Sequence, residues 1–155
     1  MFSYVASNQY NNHFKLYTDG SKSIHGVGSA CYSLSSTKMA SLPHIASIFS
    51  AEIYAISLAV TIIEQILRRD FVIFSDSMSV LSTLSNTRSE HPLARKIIHK
   101  LHDMKLVGKG VELCWVLSHV GMVGNKRADK FASDAAKLQE SLNPIDYKLF
   151  QSLNS

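Results

Sequence analysis

Hydrophobic and polar positions alternate along the first third of the chain, as expected for β-strands with one buried face. The alternation runs over residues 14–19 and stops at Gly20, so we predict that the first strand ends at Asp19. Two more short strands are predicted over residues 27–33 and 38–42. The serines and threonine between them suit a hairpin turn. We therefore expect a three-stranded antiparallel meander.

The hydrophobic period lengthens to that of a helix over residues 50–67. Apolar side chains occupy both sides of this helix, so we expect it to lie on the sheet and to be covered by other helices. The apolar run Phe71–Phe74 is typical of a buried parallel strand, and a short helix follows it to about Leu84. A helix from Pro92, a strand over residues 111–117 and a final amphipathic helix complete the pattern. The inner face of the last helix is predicted to consist of Phe131, Ala132, Ala135 and Leu138.

The resulting order, β-β-β-α-β-α-α-β-α, predicts an α/β fold. Its mixed five-stranded sheet should combine three antiparallel strands with parallel strands and be covered by helices. The chain has 155 residues, enough for one ordinary domain. We place this domain at residues 13–138, between a polar N-terminal extension (1–12) and a C-terminal tail (139–155).

Composition excludes several classes of protein. With 46% apolar and 18% charged residues, the chain is typical of a globular protein rather than a disordered one. We find neither a membrane-spanning stretch nor a secretory signal. Cys31 and Cys114 lie outside any metal-binding spacing, so we expect reduced core thiols in an intracellular protein, cytoplasmic or nuclear. We also expect a monomer. A net charge of +4 permits a polyanionic partner without requiring one.

Four acidic residues occupy informative places among the predicted elements. Asp19 closes the first strand, Asp76 follows the fourth, Glu52 lies in the first turn of the apolar helix, and Asp129 lies early in the last helix. Ligands of open α/β sheets gather where adjacent strands end. If the first and fourth strands are neighbours, Asp19 and Asp76 meet there, and the covering helices can add the other two.

Convergence of these carboxylates would have a definite chemistry. Carboxylates that are forced together raise one another's pKa unless a cation lies between them. Mg²⁺ prefers such oxygen ligands and also accepts phosphate oxygens. Two ions about 3.5–4 Å apart can activate a water and stabilise the leaving oxygen of a phosphodiester.

Each acid also has an ordinary structural explanation. Asp76 could be a helix N-cap, and Glu52 could complement a helix dipole. Asp19 could be a turn residue, and Asp129 could belong to a solvated charged face. Taken singly, these roles are the more common ones, so only the set of four favours a metal site.

Four segments containing these acids resemble the type 1 ribonuclease H family, in the same order. They are Tyr17-Thr18-Asp19-Gly20-Ser21, Ser50-Ala51-Glu52, Ser75-Asp76-Ser77 and the stretch from Ser118 to Asp129. The last is the most specific, because its His-x-Gly-x-x-Gly-Asn…Ala-Asp pattern follows a strand and opens a helix. Its amino-acid sequence is similar to that of the ribonuclease H domains of non-LTR retrotransposon reverse transcriptases. The resemblance spans residues 14–138.

The resemblance implies a nuclease that hydrolyses the RNA strand of RNA–DNA hybrids with two Mg²⁺ ions, for which Mn²⁺ can substitute. A reverse transcriptase domain on the same polyprotein is an expected partner. His119 would match the family's mobile loop histidine, which assists proton transfer or product release. The implied metal ligands and catalytic acids are Asp19, Glu52, Asp76 and Asp129. Contacts to nucleic acid are expected from Gly20, Ser21 and Ser77.

The chain departs from the family pattern in two places. Many members carry an acid after the asparagine of the last segment, where this chain has Lys126; we expect altered local charge without loss of catalysis. Some cellular members have a Trp- and Lys-rich insertion after the second helix, whereas residues 86–90 here are short. We therefore expect weak intrinsic binding of the substrate, with help from a polymerase domain or another partner.

Two other functions remain open from the sequence. The first is a catalytically weak nucleic-acid-binding or connecting domain of the same shape. The second is another nuclease or integrase of the same superfold that acts on DNA. The four acids argue against the first, and the His119–Asp129 segment argues against the second.

Overall fold

A computed structural model describes residues 3–4, 9–117 and 122–138 of the chain. The predicted loop histidine, His119, and the predicted tail, residues 139–155, lie outside the described residues. The strands are β1 (Ser3–Tyr4), β2 (Phe14–Ser23), β3 (Gly26–Tyr32), β4 (Thr37–Leu42), β5 (Asp70–Ser75) and β6 (Gly110–Trp115). The helices are α1 (Ile48–Glu64), α2 (Met78–Ser85), α3 (Pro92–Leu106) and α4 (Val123–Lys137).

The strands form one mixed sheet in the order β1-β6-β5-β2-β3-β4. Strands β2, β3 and β4 are antiparallel neighbours, whereas β5 pairs parallel to both β2 and β6. The predicted α/β fold with a mixed five-stranded sheet is confirmed. The sixth strand, β1, pairs parallel with β6 over two residues and is too short to produce a readable alternation in the sequence.

The first long strand does not end at Asp19. β2 continues to Ser23, and Asp19 pairs with Ala30 of β3. The prediction was wrong because Gly20 is accommodated inside the β2–β3 hairpin, opposite Ser29. Since pairing between β2 and β5 ends at Tyr17, Asp19 lies two residues beyond the last paired residue of β2.

Helix α1 is shifted from its predicted bounds of 50–67. It begins at Ile48 because the Ser47 side chain caps it, accepting a hydrogen bond from the Ser50 amide at 3.0 Å. It ends at Glu64, and Leu67 is exposed to solvent. As predicted, α1 lies on the sheet, against β2 and β3, and is covered by α2 and α3.

Helices α4 and α1 lie on opposite faces of the sheet. Helix α4 packs against Gly28 and α1 packs against Ser29. Consecutive residues of a strand point to opposite faces. The approach is close: a Cβ added at Gly28 would lie 2.4 Å from the carbonyl oxygen of Ala132. Ala132 and Ala135 are buried as predicted, and Phe131 is partly buried. The prediction for Leu138 was wrong, since it follows the end of the helix and is 54% exposed.

Both cysteines are buried free thiols, as expected. Among the described residues, no helix is long and apolar enough to cross a membrane.

We predict that Gly28→Ala destabilises the domain by about 1–3 kcal/mol, the usual cost of overpacking a tight contact. The added methyl group would meet the α4 backbone, which cannot move away without loosening the helix from β3. Urea denaturation of the purified variant measures the effect. Gly110→Ala is the matched control, because its added Cβ would lie 3.8 Å from Arg69 O, an ordinary van der Waals distance. Equal stability of the two variants would contradict the close approach of α4.

Candidate metal centre

Three carboxyl groups from distant parts of the chain converge at one edge of the sheet. One oxygen each from Asp19, Glu52 and Asp76 lies within 4.8 Å of the others. Asp19 lies beyond the last β2–β5 pair and Asp76 directly follows β5, so the parallel pairing brings these two together. The condition left open by the sequence, that these two strands are neighbours, is met.

Glu52 reaches the other two acids because Gly20 has no side chain. A Cβ at Gly20 would lie 2.7 Å from the backbone nitrogen of Glu52 and 2.8 Å from the carbonyl carbon of Ala51. The helix can therefore touch β2 only at a glycine. Glu52 is the fifth residue of α1 (48 to 52), so the prediction of a first-turn residue that complements the helix dipole was wrong. The Gly20 amide also donates a hydrogen bond to Asp19 Oδ1 at 2.9 Å.

Asp76 is not a helix cap. The N-cap of α2 is Ser77, whose hydroxyl accepts a hydrogen bond from the Val80 amide at 3.4 Å. The indole N–H of Trp115, at the end of β6, donates to the backbone carbonyl of Asp76 at 3.3 Å. This bond ties the backbone at Asp76 to the neighbouring strand, so the segment between β5 and α2 is held in position.

Asp129 projects toward the same site from α4. It is more exposed than the three converging acids and lies outside their tight group. Its carboxyl group is nevertheless near enough to that of Asp19 to raise the pKa of Asp19. All four acids line one cavity of about 300 Å³, together with Gly20, Asn125 and Lys126. Asp129 is thus exposed, as the alternative of a solvated charged face expects, and it also lines the acidic cavity.

Burial and crowding make the carboxyl groups of Asp19 and Glu52 hard to ionise. The pKa of Asp19 is raised well above its ordinary value by burial first, and then by the charge of Asp76 and the neighbouring carboxyl group of Asp129. The pKa of Glu52 is raised by burial and by the charges of Asp19 and Asp76. Among the described residues, no hydrogen bond satisfies the buried Glu52 Oε2.

This donor set fits divalent cations. Crowded, poorly solvated carboxylate oxygens are ligands that Mg²⁺ and related hard cations prefer, and a cation between them would offset their repulsion. Asp19, Glu52 and Asp76 could hold such an ion together, and Asp129 could contribute from the opening of the cavity.

Residues 11–137 match the family model for RNase H. The chain belongs to the ribonuclease H family. The matched region contains all four acids of the cavity and every described element except β1. No curated protein matches the chain.

The nucleic-acid contacts expected for this ribonuclease H domain occupy three different settings. Gly20 lines the acidic cavity, and its amide is engaged by Asp19. Ser21 is half-buried on β2, and Ser77 caps α2 with its hydroxyl. Their roles in binding nucleic acid stay predictions.

Two residues of the cavity were not predicted as site residues, Asn125 and Lys126. Asn125 is 6% exposed, and no described residue offers a hydrogen bond to its Oδ1. Both residues belong to the most specific motif of the sequence, which is the signal that could have drawn attention to them. Their orientation depends on the start of α4 at Val123, and the sequence does not define that start closely enough.

We predict that metal-free protein loses stability as pH rises. Because the folded-state pKa values of Asp19 and Glu52 are raised, their contribution is fully present below the unfolded pKa of about 4 and is lost as pH rises through the folded values. Thermal unfolding in a chelator across this range measures the loss, and Mg²⁺ should reduce it.

Asp19→Asn should flatten this pH profile and stabilise the metal-free protein by about 0.5–2 kcal/mol at mildly alkaline pH, a usual gain for a stabilising substitution. The matched control is Asp103→Asn, an exposed position on α3. If Asp19→Asn leaves the slope of the wild-type profile intact, mutual repulsion does not govern the cavity.

Proposed function

We propose that this protein is an endonuclease that hydrolyses the RNA strand of RNA–DNA hybrids with two divalent ions. The observation that carries the proposal is the convergence of Asp19, Glu52 and Asp76 within 4.8 Å in a member of the ribonuclease H family. The preferred ion is Mg²⁺, with Mn²⁺ able to substitute.

The four acids divide into two groups by burial. Asp19 and Glu52 are held deep in the cavity with half-buried Asp76 beside them, and Asp129 lies at the more exposed side. Asp19 lies within 4.8 Å of the Glu52 and Asp76 oxygens and shares the cavity with Asp129, so it is the ligand suited to bind both ions. When bound, the ions would supply a water of lowered pKa and stabilise charge on the phosphoryl oxygens. The chain's own contribution is to position the carboxylates and to limit the access of bulk water.

Substrate contacts and biological setting complete the proposal. Gly20, Ser21 and Ser77 are assigned to nucleic-acid binding, and RNA would be distinguished from DNA by its 2′-hydroxyl groups. We place the catalytic domain at residues 13–138, flanked by an extension and a tail. Similarity of residues 118–129 to retrotransposon sequences supports action beside a reverse transcriptase domain on one polyprotein.

We predict that Asp76→Asn lowers cleavage of a labelled RNA–DNA hybrid by more than about 100-fold, since loss of a charged ligand should exceed the cost of losing an outer-shell partner. The fold should survive, because the Trp115 bond is made to the Asp76 backbone, which the substitution leaves in place. Cleavage is followed by gel electrophoresis with Mg²⁺, and folding by circular dichroism.

Asp103→Asn, with the same chemical change on exposed α3, should cleave like the wild type. Normal cleavage by Asp76→Asn would refute the role of Asp76. Wild-type protein that binds the hybrid and never cuts it would point instead to a binding or connecting domain. Cleavage of duplex DNA in preference to the hybrid would identify a DNA nuclease.

His119 is assigned to proton transfer or product release. His119→Ala should therefore slow turnover about 100-fold without abolishing it, at the low end for an acid–base group. Its effect should depend on pH near neutrality, where histidine titrates. Steady-state rates across this pH range are compared with those of His99→Ala, an exposed histidine on α3. Unchanged rates for His119→Ala at neutral pH would remove the catalytic assignment.

A further inference from the structure

One basic side chain lines the acidic cavity. Among the described residues that line it, Lys126 is the only cation, beside Asp19, Glu52, Asp76 and Asp129. It lies in the first turn of α4, where its amide bonds to the Met122 carbonyl at 3.0 Å. Because Asp129 follows three residues later, the two side chains share one face of the helix.

Its basic neighbours on α4 are engaged elsewhere. The Arg127 guanidinium stacks over the Tyr32 ring, 5.2 Å from its centroid, and donates to its hydroxyl at 3.1 Å. Lys130 pairs with Asp134 at 3.7 Å. In the part of the chain that the structure describes, Lys126 has no such partner and its side chain is exposed. Its ammonium is therefore available to an anion that enters the cavity.

The position of Lys126 is unfavourable for the helix itself. A helix N-terminus carries partial positive charge, so a lysine in the first turn costs a few tenths of a kcal/mol rather than stabilising the helix. Stability thus offers no reason for a cation here, and residues that break a local rule tend to mark functional sites.

We propose that the Lys126 ammonium binds a phosphate of the substrate backbone at the opening of the cavity, and that its charge weakens the cavity's affinity for divalent cations. The inference rests on the proposed function for its first part. A single positive charge beside the cavity attracts the phosphodiester and repels the ions by the same Coulomb interaction. Lys126 is therefore a substrate-binding residue that shifts the balance between metal and nucleic acid.

The metal arm of the test uses no nucleic acid. Calorimetric titration of Mg²⁺ into Lys126→Gln should show affinity tightened roughly 3–10-fold, as expected for removing one charge near a divalent ion in a solvated cavity. Lys126→Arg, which keeps the charge, should bind Mg²⁺ like the wild type. Lys137→Gln removes the same charge from the far end of α4 and should change nothing.

The substrate arm measures hybrid binding in a chelator, so it needs neither metal nor cleavage. Lys126→Gln should weaken binding and lower the slope of log affinity against log salt by about 0.9, the contribution of one phosphate contact on duplex DNA. Lys126→Arg should restore the slope, and Lys137→Gln should retain it.

Unchanged metal affinity together with an unchanged salt slope in Lys126→Gln would overturn the inference. So would an equal change in Lys137→Gln, because the effect would then be one of net charge alone. If Lys126→Gln behaves like the wild type while Asp76→Asn abolishes cleavage, the inference fails and the proposed function stands. If the wild type never cleaves a hybrid yet Lys126→Gln binds Mg²⁺ more tightly, the proposed function fails and the metal part of the inference stands.

Discussion

Repulsion among buried carboxyl groups is the constraint around which this site is built. Burial and the charges of neighbouring acids raise the pKa values of Asp19 and Glu52, so bringing these carboxyl groups together in ionised form costs free energy. They are held together by the packing of α1 on the sheet. Ile53, Ile56 and Ile63 of this helix are completely buried, and each contributes about 1.5–3 kcal/mol to folding. Several such side chains outweigh the cost of one crowded acidic cluster.

Gly20 allows this packing to bring the acidic side chains together. Helix α1 touches β2 where Gly20 leaves room, and the contact point is Ala51–Glu52. Any side chain at residue 20 would push the helix away and carry Glu52 with it. The same glycine donates its amide to Asp19. Its presence therefore sets both the spacing of the acids and part of their solvation, while the cations that fit this cavity would supply the remaining stabilisation.

Much of the fold could be predicted from periodicity. The buried helix α1 and the parallel strand β5 follow from apolar patterns, whereas the adjacency of β2 and β5 was only a condition of the sequence argument. Two predictions were wrong because a local sequence signal did not match the strand pairing or the helix end in the structure. Gly20 interrupts the alternation and suggests a strand end, yet hairpin pairing carries β2 past it. Leu138 fits the helical stripe, but the helix ends just before it.

The site was predictable as a set of acids, whereas its geometry was not. Periodicity does not reveal that Glu52 lies in the second turn of α1, since the cap at Ser47 sets the start of the helix. Lys126 and Asn125 were not predicted as site residues for the same reason, since the sequence does not define the start of α4. Side chains that converge from four elements depend on helix starts and close approaches, and single residues decide both.

The central claim is that the crowded carboxylates form a cation site, and its most direct test is anomalous diffraction from crystals soaked in Mn²⁺. A strong anomalous peak within bonding distance of Asp19, Glu52 and Asp76 is the predicted result. Ordered carboxylates with no peak among them at saturating Mn²⁺ would contradict it.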